Sequence, residues 1–272
     1  MVIGAHTNNA SHLCSAVTRA LGQTRAGIAA ASFGIAMCLS VPAGAAPGFD
    51  LNGVWERYPN PISTNADVFE DLRAPEGGPA LREPYASEWK ALLAKRDAAS
   101  KAGKPLVDDS TKCRPEGMPG IMGAIFPIEI LQTPGRITVL GEFLTQTRRI
   151  FLDTQMLTSD DYALSYYGFS TGRWMGDTLV ITTKHVRPDV QFFEIPHSEA
   201  MTITERIRSL TPDMIENQVE IDDPTYLKQP YRFTFGYKRN RTYRIMEYFC
   251  DKSSDVVEED GTVSMKVNPA SH

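Results

Sequence analysis

The chain has 272 residues, 28 basic and 33 acidic side chains, a formal net charge of −5 and four cysteines. That negative balance, without a basic stripe, argues against nucleic acid or an anionic membrane surface as a partner. The length suffices for one large domain or two small ones.

The first 45 residues read as a secretory signal. They hold no acid and two arginines, Arg19 and Arg25, then small and apolar residues over 27–41 and the cleavage pattern Ala43-Gly44-Ala45. The apolar run is shorter than the ~20 residues of a membrane helix, so the expectation is export to the periplasm or beyond, without stable membrane insertion. Removal of this segment takes no acid with it and leaves 26 basic against 33 acidic groups. Two cysteines remain, Cys113 and Cys250. In an oxidising compartment an even pair suggests one disulfide, with two free buried thiols as the alternative. There is no CxxC, HxH or HExxH spacing, no phosphate loop and no dinucleotide fingerprint, so no metal and no cofactor is expected.

A first short strand is expected over 53–58, followed by a loop rich in Pro, Gly and Asn. One helix is expected over 84–102. Pro84 suits its start, Tyr85, Trp89, Leu92, Leu93 and Arg96 recur at helical spacing, and Gly103 and Pro105 end it. Residues 106–126 form a Pro/Gly/Met-rich connector that, tied at Cys113, closes one end of the domain. From Pro127 the chain alternates like β structure: 128–132, 136–143, 145–152, 162–167, 172–174, 178–183, 201–210, 214–222, 231–239 and 243–250. Thr133-Pro134-Gly135-Arg136 has Pro and Gly in type II turn positions. The acidic stretch 251–272 reads as a loose tail. About ten short strands at hairpin spacing, with no helix between them, indicate an all-β antiparallel barrel or sandwich over 46–250, with one peripheral helix. The aromatic face Tyr231, Phe233, Phe235 and Tyr237 fits either a ligand-lined barrel or a sandwich core.

Residues 196–207, Pro-His-Ser-Glu-Ala-Met-Thr-Ile-Thr-Glu-Arg-Ile, carry the most chemistry. Alternation places Glu205 on the apolar face of Met201, Ile203 and Ile207, and His197 stands at the strand entrance. A desolvated acid beside a histidine is a candidate acid/base pair. An interior Glu–Arg pair that fixes strand register is the structural alternative. Of Arg148 and Arg149 one must face inward, and periodicity does not choose between them. The inward arginine would hold a substrate oxyanion or neutralise Glu205. Glu129 and Glu247 are further carboxylates at inward-compatible positions, and Asn217 is an inward polar group able to orient a ligand. His185 is a weaker candidate than His197.

Several segments together resemble a large, mostly uncharacterised group of exported bacterial proteins. They are Gly-Val-Trp-Glu-Arg-Tyr at 53–58, Pro-Ile-Glu-Ile-Leu-Gln-Thr-Pro-Gly at 127–135, Arg-Arg-Ile-Phe-Leu-Asp at 148–153, Gly-Arg-Trp-Met-Gly-Asp-Thr-Leu-Val at 172–180, Pro-His-Ser-Glu at 196–199 and Glu-Arg-Ile-Arg at 205–208. The resemblance implies a lipocalin-like, calycin-type barrel. Members of that group often carry a histidine where this chain has Phe169, which implies a more apolar ligand here. The combined expectation is a cofactor-independent isomerase, hydratase/dehydratase or other lyase acting on a hydrophobic small molecule of aromatic, terpenoid or steroid-like type. His197 and Glu205 would move protons, Arg148 or Arg149 would stabilise an oxyanion, and Glu129, Asn217, Phe235, Tyr237, Tyr167 and Phe169 would contact the substrate. The alternative expectation is a non-catalytic periplasmic binding protein for an apolar ligand.

Overall fold

In the computed structural model of the chain, residues 48–59, 74–108, 110–158, 160–190, 192–250 and 255–265 are described. The expected signal segment lies outside them. Nine strands close into a barrel: β1 (Gly53–Arg57), β2 (Ile128–Thr133), β3 (Arg136–Gly141), β4 (Gln146–Leu152), β5 (Phe169–Met175), β6 (Thr178–Lys184), β7 (Thr202–Thr211), β8 (Met214–Asp222) and β9 (Tyr231–Asn240). Consecutive strands are neighbours, and β1 pairs antiparallel with both β2 and β9. The barrel is mixed, because β4 and β5 run parallel, with Ile150 opposite Ser170.

That parallel pair corrects the expectation of a purely antiparallel barrel, and its cause is the segment 153–168. After β4 the chain does not turn back at once. It travels the height of the barrel and enters β5 in the direction of β4. Residues 162–167, expected as a strand, form no ladder of their own; backbone bonds tie Ser165 to His185 and Arg187, each at 3.0 Å, and the Met118 N–H donates to the Tyr166 carbonyl at 2.9 Å. The strand expected over 243–250 is also absent. With β1 already bonded on both sides the barrel has no free edge. This segment is instead held by side chains: the Tyr243 hydroxyl donates to the Glu142 carboxylate at 2.8 Å, and the Tyr248 N–H donates to the Thr145 hydroxyl oxygen at 3.2 Å. The tail expected to be loose carries a hairpin in its described part, β10 (Asp255–Val257) with β11 (Val263–Met265).

The connections sort by end. Tight turns lie at one end: Pro134-Gly135, where Gly135 has the positive φ of 74° that the turn requires; Gly176-Asp177; and Pro212-Asp213. The long connections before β2, between β6 and β7 and between β8 and β9 meet at the other, the loop end. The helix α1 (Tyr85–Lys101) belongs to the first of these, and of its side chains Trp89 is the buried one, its indole N–H donating to the Phe193 carbonyl at 3.1 Å. The Pro/Gly/Met-rich connector forms a short, kinked helix, α2 (Gly117–Gly123), that sequence periodicity does not announce. Met118, Ile121 and Met122 are buried in the core, so α2 stoppers the loop end of the barrel. Polar contacts at its C-terminal end help hold it there. The Tyr237 hydroxyl donates to the Met122 carbonyl at 2.5 Å, and Arg57 donates to the Gly123 carbonyl at 2.8 Å. Gly117 has φ 64°, and a Cβ there would meet the Tyr166 carbonyl oxygen at 2.4 Å, so no other residue fits. The entry to α2 is tied by the Cys113–Cys250 disulfide, which spans 137 residues.

Inside the barrel, Ile128, Ile130, Ile137, Ile150, Leu179, Ile181, Ile203 and Ile215 pack with Phe233, Phe235 and Tyr237. The aromatic face of β9 therefore fills a core and does not line an open ligand cavity. Among the described residues no helix is long and apolar enough to cross a membrane.

Candidate functional site

Six consecutive strands contribute a polar side chain to a belt inside the barrel: Arg148 from β4, Ser170 from β5, Thr183 from β6, Glu205 from β7, Asn217 from β8 and Tyr237 from β9. The inward arginine is Arg148, and Arg149 is exposed on the outer wall, opposite Thr138. Arg148 donates to both carboxylate oxygens of Glu205, at 3.1 Å to Oε1 and by a shorter contact to Oε2, and to the hydroxyls of Ser170 and Thr183 at 3.3 and 3.1 Å. The Asn217 amide donates to Glu205 Oε1 at 2.8 Å. Both charged side chains are 0% exposed. Burying two charges is tolerable because each is neutralised by the other and hydrogen-bonded by neighbours. Burial pushes the Tyr237 hydroxyl well above its usual range, so that group stays a donor. The unpartnered atom of this belt is Asn217 Oδ1. An ion pair so enclosed fixes which residues face inward, since a one-residue slip of β4 or β7 would turn a charge to the other face.

His197 does not join this pair. It is 6% exposed at the loop end, where its Nε2 meets the Val190 carbonyl at 2.6 Å and its Nδ1 the Ser198 carbonyl at 3.1 Å. Both ring nitrogens are occupied by backbone oxygens, and the ring borders an enclosed space of about 20 Å³, room for one water. Beside it Asp223 accepts from the Ser198 N–H and hydroxyl, at 2.5 and 3.0 Å, and from the Thr225 N–H at 2.9 Å. The pair expected from the sequence is thus divided between the barrel interior and a loop anchor.

The other sequence candidates also separate. Glu129 faces outward between buried Ile128 and Ile130, and Glu247 is exposed in the irregular 243–250 segment. Asn217, Phe235 and Tyr237 belong to the closed core. Phe169 lies under the 153–168 segment on the outer wall, stacked on Phe151 at 5.2 Å and against Tyr162 at 5.1 Å. Tyr167 reaches the loop end, where its hydroxyl donates to Gln146 Oε1 at 3.4 Å.

That contact leads to a group the sequence reasoning missed. A cleft of about 480 Å³ opens at the loop end, walled by Phe126, Phe143, Phe192 and Phe193, with Arg96 and Glu116 among its polar groups. Its size is within the range of small-molecule sites. Glu116 directly precedes α2 and accepts from the Gln146 amide at 3.0 Å. Gln146 is fully committed: its NH₂ also donates to the Phe143 carbonyl at 3.1 Å, and its Oε1 accepts from the Gly117 N–H at 3.3 Å and from Tyr167. No cation pairs with Glu116 among the described residues, so desolvation dominates and pushes its carboxyl up to about 7. Tyr167 is pushed up to about 12, by burial first, with Glu116 adding to it. Arg96 is held at the rim by Glu194 at 2.8 Å. Among the described residues no group of three or more His, Cys, Asp or Glu is placed to hold a metal ion. The cleft therefore combines four phenylalanine rings with a charged lining of Arg96, Asp108, Lys112, Arg114 and Glu194, and it holds one oriented carboxyl, Glu116, pushed up to about 7.

No protein-family model matches this chain, and comparison with curated proteins and with solved structures finds no match either.

Proposed function

We propose that the protein is an exported, cofactor-independent enzyme that performs acid/base chemistry on an apolar, aromatic small molecule bound in the loop-end cleft. Glu116 is the proton-transfer group, in place of His197 and Glu205. Proton transfer without a cofactor is the common core of isomerisation, hydration/dehydration and related lyase reactions, and a carboxyl with a pKa near the working pH serves as base in one half-reaction and acid in the other. The observation that carries the reading is Glu116 itself: a desolvated acid that pairs with no cation among the described residues, fixed through Gln146, in a cleft lined by four phenylalanine rings and by charged groups at other positions. The rings suit an aromatic substrate face to edge. Tyr167 stays protonated and locks the Gln146 amide in the orientation that serves Glu116. The Cys113–Cys250 disulfide supports export to an oxidising compartment.

The second reading is a binding protein for a ligand with an apolar face, favoured by the four phenylalanine rings in the cleft wall. One experiment separates the two. Ligand co-purified with the exported protein is identified by native mass spectrometry, and turnover of that compound is compared in the wild type and Glu116→Gln. The enzyme reading expects binding to persist and turnover to fall by about 10²- to 10⁴-fold. Binding without turnover in both proteins establishes the carrier, and equal turnover in both removes Glu116 from the chemistry.

A further inference from the structure

On the outer wall, sharing no lining residue with the loop-end cleft, a groove of about 840 Å³ runs between the 156–164 segment and the end of β6. Tyr162, Leu157, Leu164, Lys184, His185 and Glu199 line it. His185 is held in the left-handed region, uncommon for residues other than glycine, with φ 61°. The backbone is fixed there because the His185 carbonyl accepts from the Ser165 N–H at 3.0 Å while the Arg187 N–H returns to the Ser165 carbonyl at 3.0 Å. The effect of this bend is on the ring. His185 Nε2 lies 3.0 Å from the Leu157 carbonyl. A carbonyl oxygen only accepts, so Nε2 carries the proton and the lone pair of the neutral ring is on Nδ1. Nδ1 has no protein partner among the described residues, and it is not one of the buried unpartnered atoms, so it is open to the groove. An aromatic row leads to it: Phe151 to Phe169 at 5.2 Å, Phe169 to Tyr162 at 5.1 Å, Tyr162 to His185 at 6.2 Å.

We propose that this groove is a second small-molecule site, which takes a neutral phenol whose hydroxyl donates to His185 Nδ1 and whose ring packs on Tyr162, Leu157 and Leu164. The neutral form is selected because Lys184 and Glu199, one cation and one anion, both line the groove and give it no net preference for charge. The fixed tautomer makes the site an acceptor, so a ligand without an O–H leaves the lone pair unanswered.

The test uses the full-length exported protein and two probes of nearly equal size, 4-methylphenol and its methyl ether, followed by the imidazole ¹⁵N shifts of His185 and the ring resonances of Tyr162. The expected result is a free-protein Nδ1 with the shift of an unprotonated nitrogen, saturable perturbation by 4-methylphenol, and affinity for the ether lower by about tenfold or more. His185→Asn tolerates the left-handed backbone and removes the ring base; it should abolish the perturbation at Tyr162. Tyr162→Ala gives a second arm, with weakened binding at an unchanged His185 tautomer. Equal affinity for phenol and ether, a proton on Nδ1, absence of saturation into the millimolar range, or undiminished binding in both variants would each overturn the proposal.

Discussion

Glu205 at mid-barrel and Glu116 at the loop end are both acids withdrawn from water, and what each of them meets there differs. Glu205 faces a guanidinium that donates to both its oxygens, with Asn217 filling a further acceptor position. Glu116 has an amide, Gln146, and pairs with no cation among the described residues. Electrostatic neutralisation makes the first acid part of the framework, since its charge is answered by Arg148 and Asn217. The second keeps the full desolvation penalty, which raises its pKa to about 7 and leaves it at the wall of an open cleft. Burial alone does not mark a functional carboxyl; burial without a counter-charge, next to space, does.

The largest effect expected from this contrast lies in the barrel. Arg148→Met or Glu205→Leu alone strands one buried charge and should destabilise by about 3–5 kcal/mol, whereas the double variant should recover most of that loss. Urea unfolding of the three variants measures it, with outward-facing Arg149→Met as the control near zero; a double variant no better than either single one would remove the ion-pair account. Next in size is the tether of α2. Replacing Cys113 and Cys250 by serine releases a loop of 137 residues and should cost about 2–4 kcal/mol, the range typical of a disulfide, read as a lower unfolding midpoint. The smallest is a pH effect that belongs to Glu116. Its folded-state pKa lies above its unfolded value, so the folded protein binds the proton more tightly. This contribution to stability is therefore present below about pH 4.5, declines as pH rises towards about 7, and is flat above. The total is on the order of 3 kcal/mol before the discount for partial access to water. Glu116→Gln should flatten the difference between pH 5 and 7 in urea unfolding, while Glu205→Gln should leave it in place.

Much of the barrel is legible in the alternation of apolar residues. It puts Glu205 inward with Ile203 and Ile207, and it implies an arginine partner, because an unpaired carboxylate is not stable there. It does not choose Arg148 over Arg149, since both alternate with apolar neighbours and a period of two carries no sign. The parallel return into β5 escapes because direction is not written in side-chain periodicity. The segment 243–250 misleads for another reason. Its alternation of Tyr243, Ile245 and Phe249 is real, but the edge it would join is taken by β1. Closure of a barrel is a property of all nine strands together, invisible in any one of them. Glu116 escapes because its surroundings are assembled from far along the chain: Gln146, Phe143 and Tyr167 from beyond the first hairpin, Phe192 and Phe193 from the connection before β7. One local signal was available. Over residues 115–127 it is the single charged side chain in an otherwise uncharged, mostly apolar run, and an isolated acid in such company tends to end up desolvated.

The same reasoning separates His197 from His185. The histidine singled out by its neighbour Glu205 has both nitrogens engaged by carbonyls, and the one set aside has a nitrogen free. Proximity in sequence to an acid says little about a histidine's chemistry; the backbone oxygens around its ring decide whether a lone pair is available.

The most direct test of the account is a titration of the Glu116 side-chain carboxyl by ¹³C NMR in the intact, disulfide-bonded protein. The account predicts a midpoint of about 7, moved by substitution of Gln146 or Phe143 and insensitive to Glu205→Gln. A midpoint in the ordinary carboxylate range, near 4.5, would contradict it and return Glu116 to the class of solvated surface acids.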